Sequence, residues 1–508
     1  MCIVQIDLWS GCAPRLGREY RQKVARMAVH KTCFWLLLGI FLSLQACHVT
    51  YYQTDAKFRK LFTDSKLEEA DAQLAKDKHA EKRKTRLLYY LNRGVVAHLM
   101  QRYEASNHFL EQAYLACESF STKPLDEALA LVINPTITDY RGEVHEILLL
   151  HYYKALNFLQ LGQNIEALVE CRRLNIRLNQ LSDKYSSVHK YRRDAFIHTL
   201  MGLVYQANHE YNNAFIAYRN AVEIYQEDYQ RLFGIDVPEQ LKKDLVYTAY
   251  KTGLHDQVDK YQQEFQLDYD PTAEDALGDV VFLWNNGLGP VKDACNIDFT
   301  LMRREEGSVV VFRNEELGLF FSFPLPGYGK DDALLDLKRI RITFPKYRER
   351  SLVYNRAYLC TSGGERQALE IVENVNSIAF QVLRQRMVRE LSKSLLRVAL
   401  KKAAEYQMRK QDKMLGILIG SLNFFTERAD TRSCQTMPHS IYYARVKLPT
   451  GTHRVAFQAS TGRLPCATDY HQEFCFQTCH NQTVFQVVNS PVSFVSRDRS
   501  SHLPTAGK

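Results

Sequence analysis

The 508 residues contain no P-loop, no GxGxxG following a strand and no GxSxG. That removes the commonest sequence signs of nucleotide binding and of serine hydrolysis. Charge of one sign is scarce as well: 66 Lys and Arg stand against 57 Asp and Glu, a formal excess of 9. So small an excess does not by itself point to nucleic acid. The 12 cysteines are scattered through a long chain, which excludes a small disulfide scaffold. The apolar runs Phe34–Leu44 and Met414–Phe425 both fall short of the ~20 residues a helix needs to cross hydrocarbon. What is present is ordinary for a folded protein: 46% hydrophobic, 24% charged and 11% aromatic residues. Disordered, collagen-like and polytopic membrane chains are thereby excluded. At ~100–200 residues per domain, the length allows two to four units with their own cores.

Phe34–Leu44 (FWLLLGIFLSL) follows Lys31 and ends in Leu44-Gln45-Ala46-Cys47. As a helix it spans roughly 16 Å, the length of a signal-peptide apolar region. Ala46 is the small residue a signal peptidase needs before its cut, and Cys47 offers the thiol that a bacterial lipoprotein pathway alkylates. The expectation is cleavage between Ala46 and Cys47 with lipidation of Cys47; the alternative is an ordinary cleaved signal with a chance cysteine. Signal peptides begin close to their basic segment, so Met27 is the expected start and residues 1–26 an upstream extension. Removal of everything before Cys47 takes away six basic and two acidic residues, lowering the excess to about 5.

Internal repeats govern the next 200 residues. Asp194–Tyr225 carries Gly202, Tyr205, Tyr211, Ala214, Tyr218 and Ala221 at the spacing of a 34-residue tetratricopeptide (TPR) repeat. Gly202 and Ala214 would let two helices approach closely, while the tyrosines and Ala221 fill the seam. The register recurs with Gly94, Ala97, Tyr103, Leu110 and Ala113, and again with Ala155, Phe158, Gly162, Ala167 and Cys171. A weaker copy runs from Leu245 to Phe265, and Leu67–Leu74 resembles a capping helix. A right-handed TPR-like array is expected, stacked to bury a continuous core and leaving a concave face for a protein partner or for support of the rest of the chain. The polar stretch Lys123–Asp139 between the first two copies would be a loop reaching the C-terminal half.

Past Asp270-Pro271 the period shortens. Asp279–Trp284, Ser308–Arg313, Leu319–Phe323, Ile340–Phe344 and Ser351–Leu359 are β-branched or aromatic runs divided by Gly- and Pro-containing turns. From Asn374 to about Arg428 a long helix is expected, with Val388, Leu391, Leu395, Val398, Ala399 and Ala403 on one face. Arg389, Lys393, Arg397, Lys401, Lys402, Arg409 and Lys410 lie opposite, as a solvated face or a contact for anionic lipid or glycan. Met414–Phe425 reads as a buried helix. Ser440–Leu448, His453–Gln458 and Thr483–Val495 complete the strands. The fold class is α+β: a helical array, then an antiparallel β-rich domain interrupted by a long amphipathic helix. The expected segments are an extension (1–26), a lipoprotein signal (27–46), a linker with a capping helix (47–85), repeats (86–270), a β unit (275–365), the long basic and apolar helices (370–430), a second β unit (436–495) and a disordered tail (496–508).

Chemistry-bearing constellations are few. His145-Glu146 begins like a zincin motif, but Leu149 stands where the second histidine belongs. Cys466, His471, Cys475, Cys479 and His480 form a cluster without a CxxC pair, for which a disulfide or free thiols are expected before a metal. Neither catalytic residues, nor a metal, nor a cofactor is expected.

Together with the Cys47 motif, three segments carry a likeness: Gly278–Lys292 (GDVVFLWNNGLGPVK), Ile340–Tyr347 (IRITFPKY) and Glu427–Pro438 (ERADTRSCQTMP). On these, the chain over roughly Cys47–Val495 resembles an uncharacterised family of bacterial outer-membrane lipoproteins with N-terminal TPR repeats and a β-rich C-terminal region. The most distinctive run is Ala429-Asp430-Thr431-Arg432-Ser433, where Cys434 replaces the tryptophan usual in such proteins. His48 rather than aspartate after Cys47 implies outer-membrane retention, facing the periplasm. The resemblance implies an envelope location and supplies no activity. With the repeats and the Cys47 motif, the first reading is an envelope scaffold that binds an envelope protein through a TPR-like groove and the membrane through its lipid, without nucleic acid and without catalysis. Looser links to regulators of penicillin-binding proteins leave a peptidoglycan- or glycan-related regulator or enzyme, or an anionic-lipid module, as alternatives. The partner's identity and the oligomeric state do not follow from the resemblance.

Overall fold

The computed structural model describes residues 56–77, 80–82, 84–119, 138–183, 193–303, 309–324, 339–411, 429–462 and 469–491. Cys47, the apolar run before it, the Met414–Phe425 segment, Cys466 and the 496–508 tail lie outside the described residues. The chain divides after Lys60 into two units. Of the first, residues 56–60 are described and are helical. The second, Leu61–Lys508, holds everything that follows.

The second unit begins with paired helices. A first helix α1 (Leu67–Ala75) is followed by four pairs: α2 (Arg86–Leu99) with α3 (Tyr103–Glu118), α4 (Val144–Gln160) with α5 (Asn164–Asp183), α6 (Ala195–Ala207) with α7 (Tyr211–Ile224), and α8 (Glu239–Lys251) with α9 (His255–Phe265). This is the TPR-like array. The small residues work as their spacing implies at two crossings. A Cβ at Gly94 would stand 2.6 Å from Leu110 Cγ, and one at Gly202 would enter the Tyr218 ring. Gly162 differs from the packing role expected of it. Its φ is +72° and a Cβ there would meet nothing within 4 Å, so it serves the α4–α5 turn by its backbone. Ala113, Ala155, Ala167, Ala214 and Ala221 are fully buried. Tyr103 and Tyr211 remain partly exposed, and Tyr205 is buried.

Tyr218 cannot retreat from Gly202, because its hydroxyl donates to Gln206 Oε1 at 3.0 Å and accepts from Arg445 at 3.1 Å. Gly202→Ala is therefore expected to cost about 1–3 kcal/mol through overpacking. Urea midpoints of the variant and the parent measure it, and an unchanged midpoint would show that the helices can part freely.

Among the described residues, twelve strands form three sheets. The first is ordered β12 (Thr483–Ser490), β1 (Gly278–Asn286), β9 (Ser440–Leu448), β8 (Glu370–Asn374). The second is ordered β11 (Tyr470–Thr478), β10 (Gly451–Ser460), β6 (Arg356–Thr361), β7 (Arg366–Ala368). They stack as a sandwich around Phe282, Trp284, Leu359, Phe457, Phe474 and Phe476. One ladder is parallel, β1 with β12; the other ladders are antiparallel. Strands from both sequence intervals read as β-rich thus interleave within each sheet.

The third sheet is ordered β4 (Leu319–Pro324), β3 (Val309–Asn314), β2 (Val291–Arg303), β5 (Arg339–Arg348). Its apolar face packs on the long helix α10 (Val375–Gln411) through Phe299, Phe312, Ile342, Leu391, Leu395 and Ala399.

Several expectations change here. The 13-residue strand β2 and the strand β11 were not expected. In β2, Lys292, Asp293, Asn296 and Asp298 mask the alternation of Ile297, Phe299 and Leu301, since only one face is covered. The strand expected to stop at Pro345 continues to Arg348. Pro345 is tolerated because β5 is an edge strand, paired only with β2. Residues 351–355 are not strand.

On α10, Leu391, Leu395, Val398 and Ala399 are buried as spaced, Val388 is exposed, and the Ala403 side chain lies outside those described. Arg397 and Lys401, assigned to an exposed basic face, are buried. The helix is therefore covered on more than its apolar stripe, and these two charges are withdrawn from any lipid surface.

Candidate functional site

The face of a TPR array usually read as a ligand groove is lined by the first helix of each pair. In this chain that face is filled from within. Nine consecutive residues of β1 are buried, because one side of the first sheet faces the sandwich core and the other faces the array. From α2, His98 Nε2 lies 3.5 Å from Asn489 Nδ2 on β12. From α4, Tyr152 donates to Asn285 Oδ1 at 2.8 Å and Gln160 to the Phe485 carbonyl at 3.0 Å. From α8, Asp244 accepts from Tyr443 on β9 at 2.6 Å. A π-helical turn after α7 (Tyr225–Tyr229) puts two tyrosines one turn apart, one donating to Val372 O and the other to Glu373 Oε2 on β8. The Glu370 carboxylate accepts the Glu239 and Gln240 amides at 2.8 and 2.9 Å, capping α8 across 131 residues of chain. Of the two uses expected of this face, a groove for a partner or support for the rest of the chain, these contacts are of the second kind.

At its centre lies Arg445, on the array side of β9 and buried. Its guanidinium donates to the Tyr443 and Tyr218 hydroxyls and pairs with Asp244 at 3.3 Å and Asp279 at 3.4 Å. Burial opposes its charge, but the facing Asp244 carboxylate, the two tyrosines and Asp279 outweigh that and keep it cationic. Lys447, two residues on, bridges Glu274 and Asp279 at 2.7 and 2.6 Å.

A second buried polar joint gathers residues that are far apart in sequence. Glu143 and Glu146 open α4 as a capping box: the Glu146 carboxylate accepts the Glu143 amide at 2.9 Å. Glu143 then receives Lys292 from β2 on one oxygen and Arg386 from α10 on the other. Glu146 receives the Tyr140 hydroxyl at 2.7 Å and the Cys434 amide at 2.5 Å. Burial pushes Glu143 upward, yet the Lys292 and Arg386 charges prevail and hold it at about 2. Glu146 is raised by burial and by Glu143. His145 is lowered to about 4, again chiefly by burial, and stays neutral. The would-be zincin dipeptide is therefore a helix cap.

The distinctive 429–434 run completes this joint. Arg432 holds Asp430 bidentately at 2.9 and 2.7 Å, donates to the Thr138 carbonyl at 3.0 Å and lies over the Tyr140 ring. Burial works against the Asp430 charge, and Arg432 lowers it nonetheless. Ala429 and Ser433 are buried and Thr431 is partly so. Cys434 lies 3.4 Å from Asn92 Oδ1, with its thiol pushed up to about 12 by burial and Glu146. It is a packed, unreactive thiol. Of the stretch expected to reach the C-terminal half, the described end (Thr138, Tyr140) does so; residues 120–137 lie outside the described residues.

Beside the Glu143 joint is a cavity of about 20 Å³ bordered by His145, Tyr152, Asp194 and Glu373. It has room for about one water molecule and none for a sugar. Burial and Asp194 push Glu373 well above the usual carboxylate range. Cys475 and Cys479, expected to share a disulfide or remain free, are free and exposed; among the described residues no His, Cys, Asp and Glu group has metal-binding geometry. No described helix is long and apolar enough to cross a membrane.

No known family description and no curated protein matches the sequence. Several solved structures are similar in part, among them two. One is the aspartyl phosphate phosphatase F of Bacillus subtilis, at 15% identity and TM-score 0.28, over 42% of this chain and 47% of that one. The other is a putative kinesin light chain with nearly identical TPR-like repeats from Podosopora anserina, at 13% identity and TM-score 0.27, over 42% of this chain and 92% of that one. The chain spans about half the length of the first.

Spacing revealed the repeat residues but not Glu143, Lys292, Arg386, Asp244 or Arg445. Glu143-x-x-Glu146 has the spacing of a cap, a local signal that could have found it. For the others there was no local signal, because each becomes a buried charge only when its partner arrives from another element.

Proposed function

We propose that the chain is a lipid-anchored, non-catalytic scaffold of the bacterial envelope, in which the helical array and the β sandwich act as one body. The observation that carries the scaffold reading is the filled inner face of the array. The repeats are spent on holding the first sheet, so a protein partner meets the outer surfaces of this body rather than a TPR groove. Support for a non-catalytic role comes from the buried carboxylate pair Glu143 and Glu146. Both Glu143 oxygens and both Glu146 oxygens are taken by this chain's own donors, so neither is free to accept a substrate proton. A glycan-cleaving reading needs two carboxylates flanking an open cleft, and this pair is buried.

The anchor rests on Cys47 standing directly after the apolar run. The several acyl chains of a bacterial lipoprotein give stable attachment where one chain would not. Cys47→Ser is expected to leave the protein unprocessed or in the soluble fraction, and the native protein's first residue is expected to carry added lipid mass. A processed Cys47→Ser protein retained in the membrane, or a native chain with an intact leader, would overturn the anchor without touching the scaffold reading.

A further inference from the structure

Six strands end the three sheets, and five of them carry features that discourage pairing with another chain. β12 is covered by Gln160 of α4, and β8 is tied to the array through Tyr225. β7 has three residues; β4 ends in Pro324; β5 contains Pro345, Lys346 and Arg348. Short length, proline and positive charge are the usual protections of a sheet edge. β11 has none of them. It runs nine residues, YHQEFCFQT, without Pro, Gly, Lys or Arg. Its register with β10 is unbroken from Thr478 opposite Gly451 to Tyr470 opposite Ala459. Among the described residues no strand pairs with its other side.

We propose that β11 pairs antiparallel with β11 of a second copy of this chain, about a two-fold axis at Cys475, so that two sandwiches share one continuous sheet. The strand's own sequence chooses this occupant and this axis. With Cys475 opposite its counterpart, Phe474 faces Phe476 of the second copy on the core side, twice, extending an aromatic pair already stacked within each sandwich. On the exposed side Glu473 faces Gln477 of the second copy. Glu473 is the one acidic residue of the strand, and the one basic side chain, His471, falls opposite position 479 of the second copy, so no like charges are opposed. An axis at Phe474 would instead set Phe476 against Gln472 and leave a single aromatic pair, Phe474 on its own counterpart, in place of two. A two-fold contact uses the same patch twice and closes, which an edge needs if it is not to grow fibres.

Opposed Cα atoms of antiparallel strands lie ~4.5 or ~5.5 Å apart, and both fall in the ~4.4–6.8 Å window of a disulfide. Cys475 is free and exposed, so it reports on the register directly.

The test uses the full chain in detergent. Light scattering on size exclusion is expected to give twice the chain mass. Copper-phenanthroline, which accepts the two electrons as two thiols lose their protons, is expected to cross-link the parent and Cys479→Ser but not Cys475→Ser. Cys475→Ser is still expected to be dimeric. Gln477→Glu opposes acids twice across the axis and is expected to weaken the dimer about fivefold, whereas Gln477→Lys, facing Glu473, is expected to tighten it. Both positions are exposed, so the fold is not at stake. A monomer overturns the proposal. A dimer indifferent to position 477 that does not cross-link at Cys475 overturns it as well, since its interface then lies elsewhere. Cross-linking of Cys475 only to another protein would assign the edge to that protein.

Discussion

Arg445→Met is expected to lower the stability of the Leu61–Lys508 unit by about 3–5 kcal/mol, the cost of breaking a buried ion pair by removing one member. Methionine fills much of the volume, so packing changes little. What it leaves behind is Asp244, buried at the joint between α8 and the first sheet without its cation, while Asp279 keeps Lys447. Because this joint is where the array meets the sandwich, the single urea transition of the parent is expected to broaden or split, with helical signal and tryptophan emission lost at different midpoints. Trp284 lies fully buried in the sandwich and reports on that half. Adding Asp244→Asn to Arg445→Met is expected to cost less than the sum of the two changes, since the second removes a charge the first has stranded. A full sum, or one unchanged transition, would show that Arg445 does not couple the halves.

Glu143→Gln strands the opposite sign. Lys292 and Arg386 would remain buried around an uncharged amide, and a loss of about 3–5 kcal/mol at pH 7 is expected. The same residue predicts a pH dependence. Its carboxyl is held at about 2 in the folded chain against an ordinary 4.5, so the folded state binds this proton less tightly than the unfolded chain does. The stabilisation, roughly 3 kcal/mol for such a shift, is complete above pH ~4.5 and is lost as pH falls towards 2. Glu146 and Glu373, whose pKa values are raised, act in the opposite sense: they stabilise at low pH and cease to do so as pH rises through their folded values. Subtracting the Glu143→Gln profile from the parent's isolates the Glu143 contribution. The variant is expected to lose less stability between pH 5 and 3 than the parent. Parallel profiles would mean that Lys292 and Arg386 do not govern the Glu143 charge.

Both joints show why only part of the site could be read from the chain. The repeat residues were legible because helix pairing is a local matter: Gly202 and Tyr218 are 16 positions apart, and their contact follows from the period of two adjacent helices. The cap at Glu143-x-x-Glu146 is equally local. In contrast, Lys292 lies 149 and Arg386 243 positions from the carboxylate they share. In isolation each reads as an exposed charge on a strand or on the far side of a helix, which is how Arg397 and Lys401 came to be assigned to a solvated face. The strand β2 was hidden for a related reason. Its polar residues look like a loop until α10 covers one side only.

The order of secondary structure, with four helix pairs, then short strands, then one long helix between strands, was set by period and turn chemistry that the chain carries locally. So was the small-to-large fit within each helix pair. Which surface of the array is free was decided only in three dimensions. That depends on β1, β9 and β12 coming together from positions 278 to 490 and on buried charges finding counter-charges across the gap. A buried charge is worth little or much according to its neighbour's distance, and that distance is a property of the folded chain.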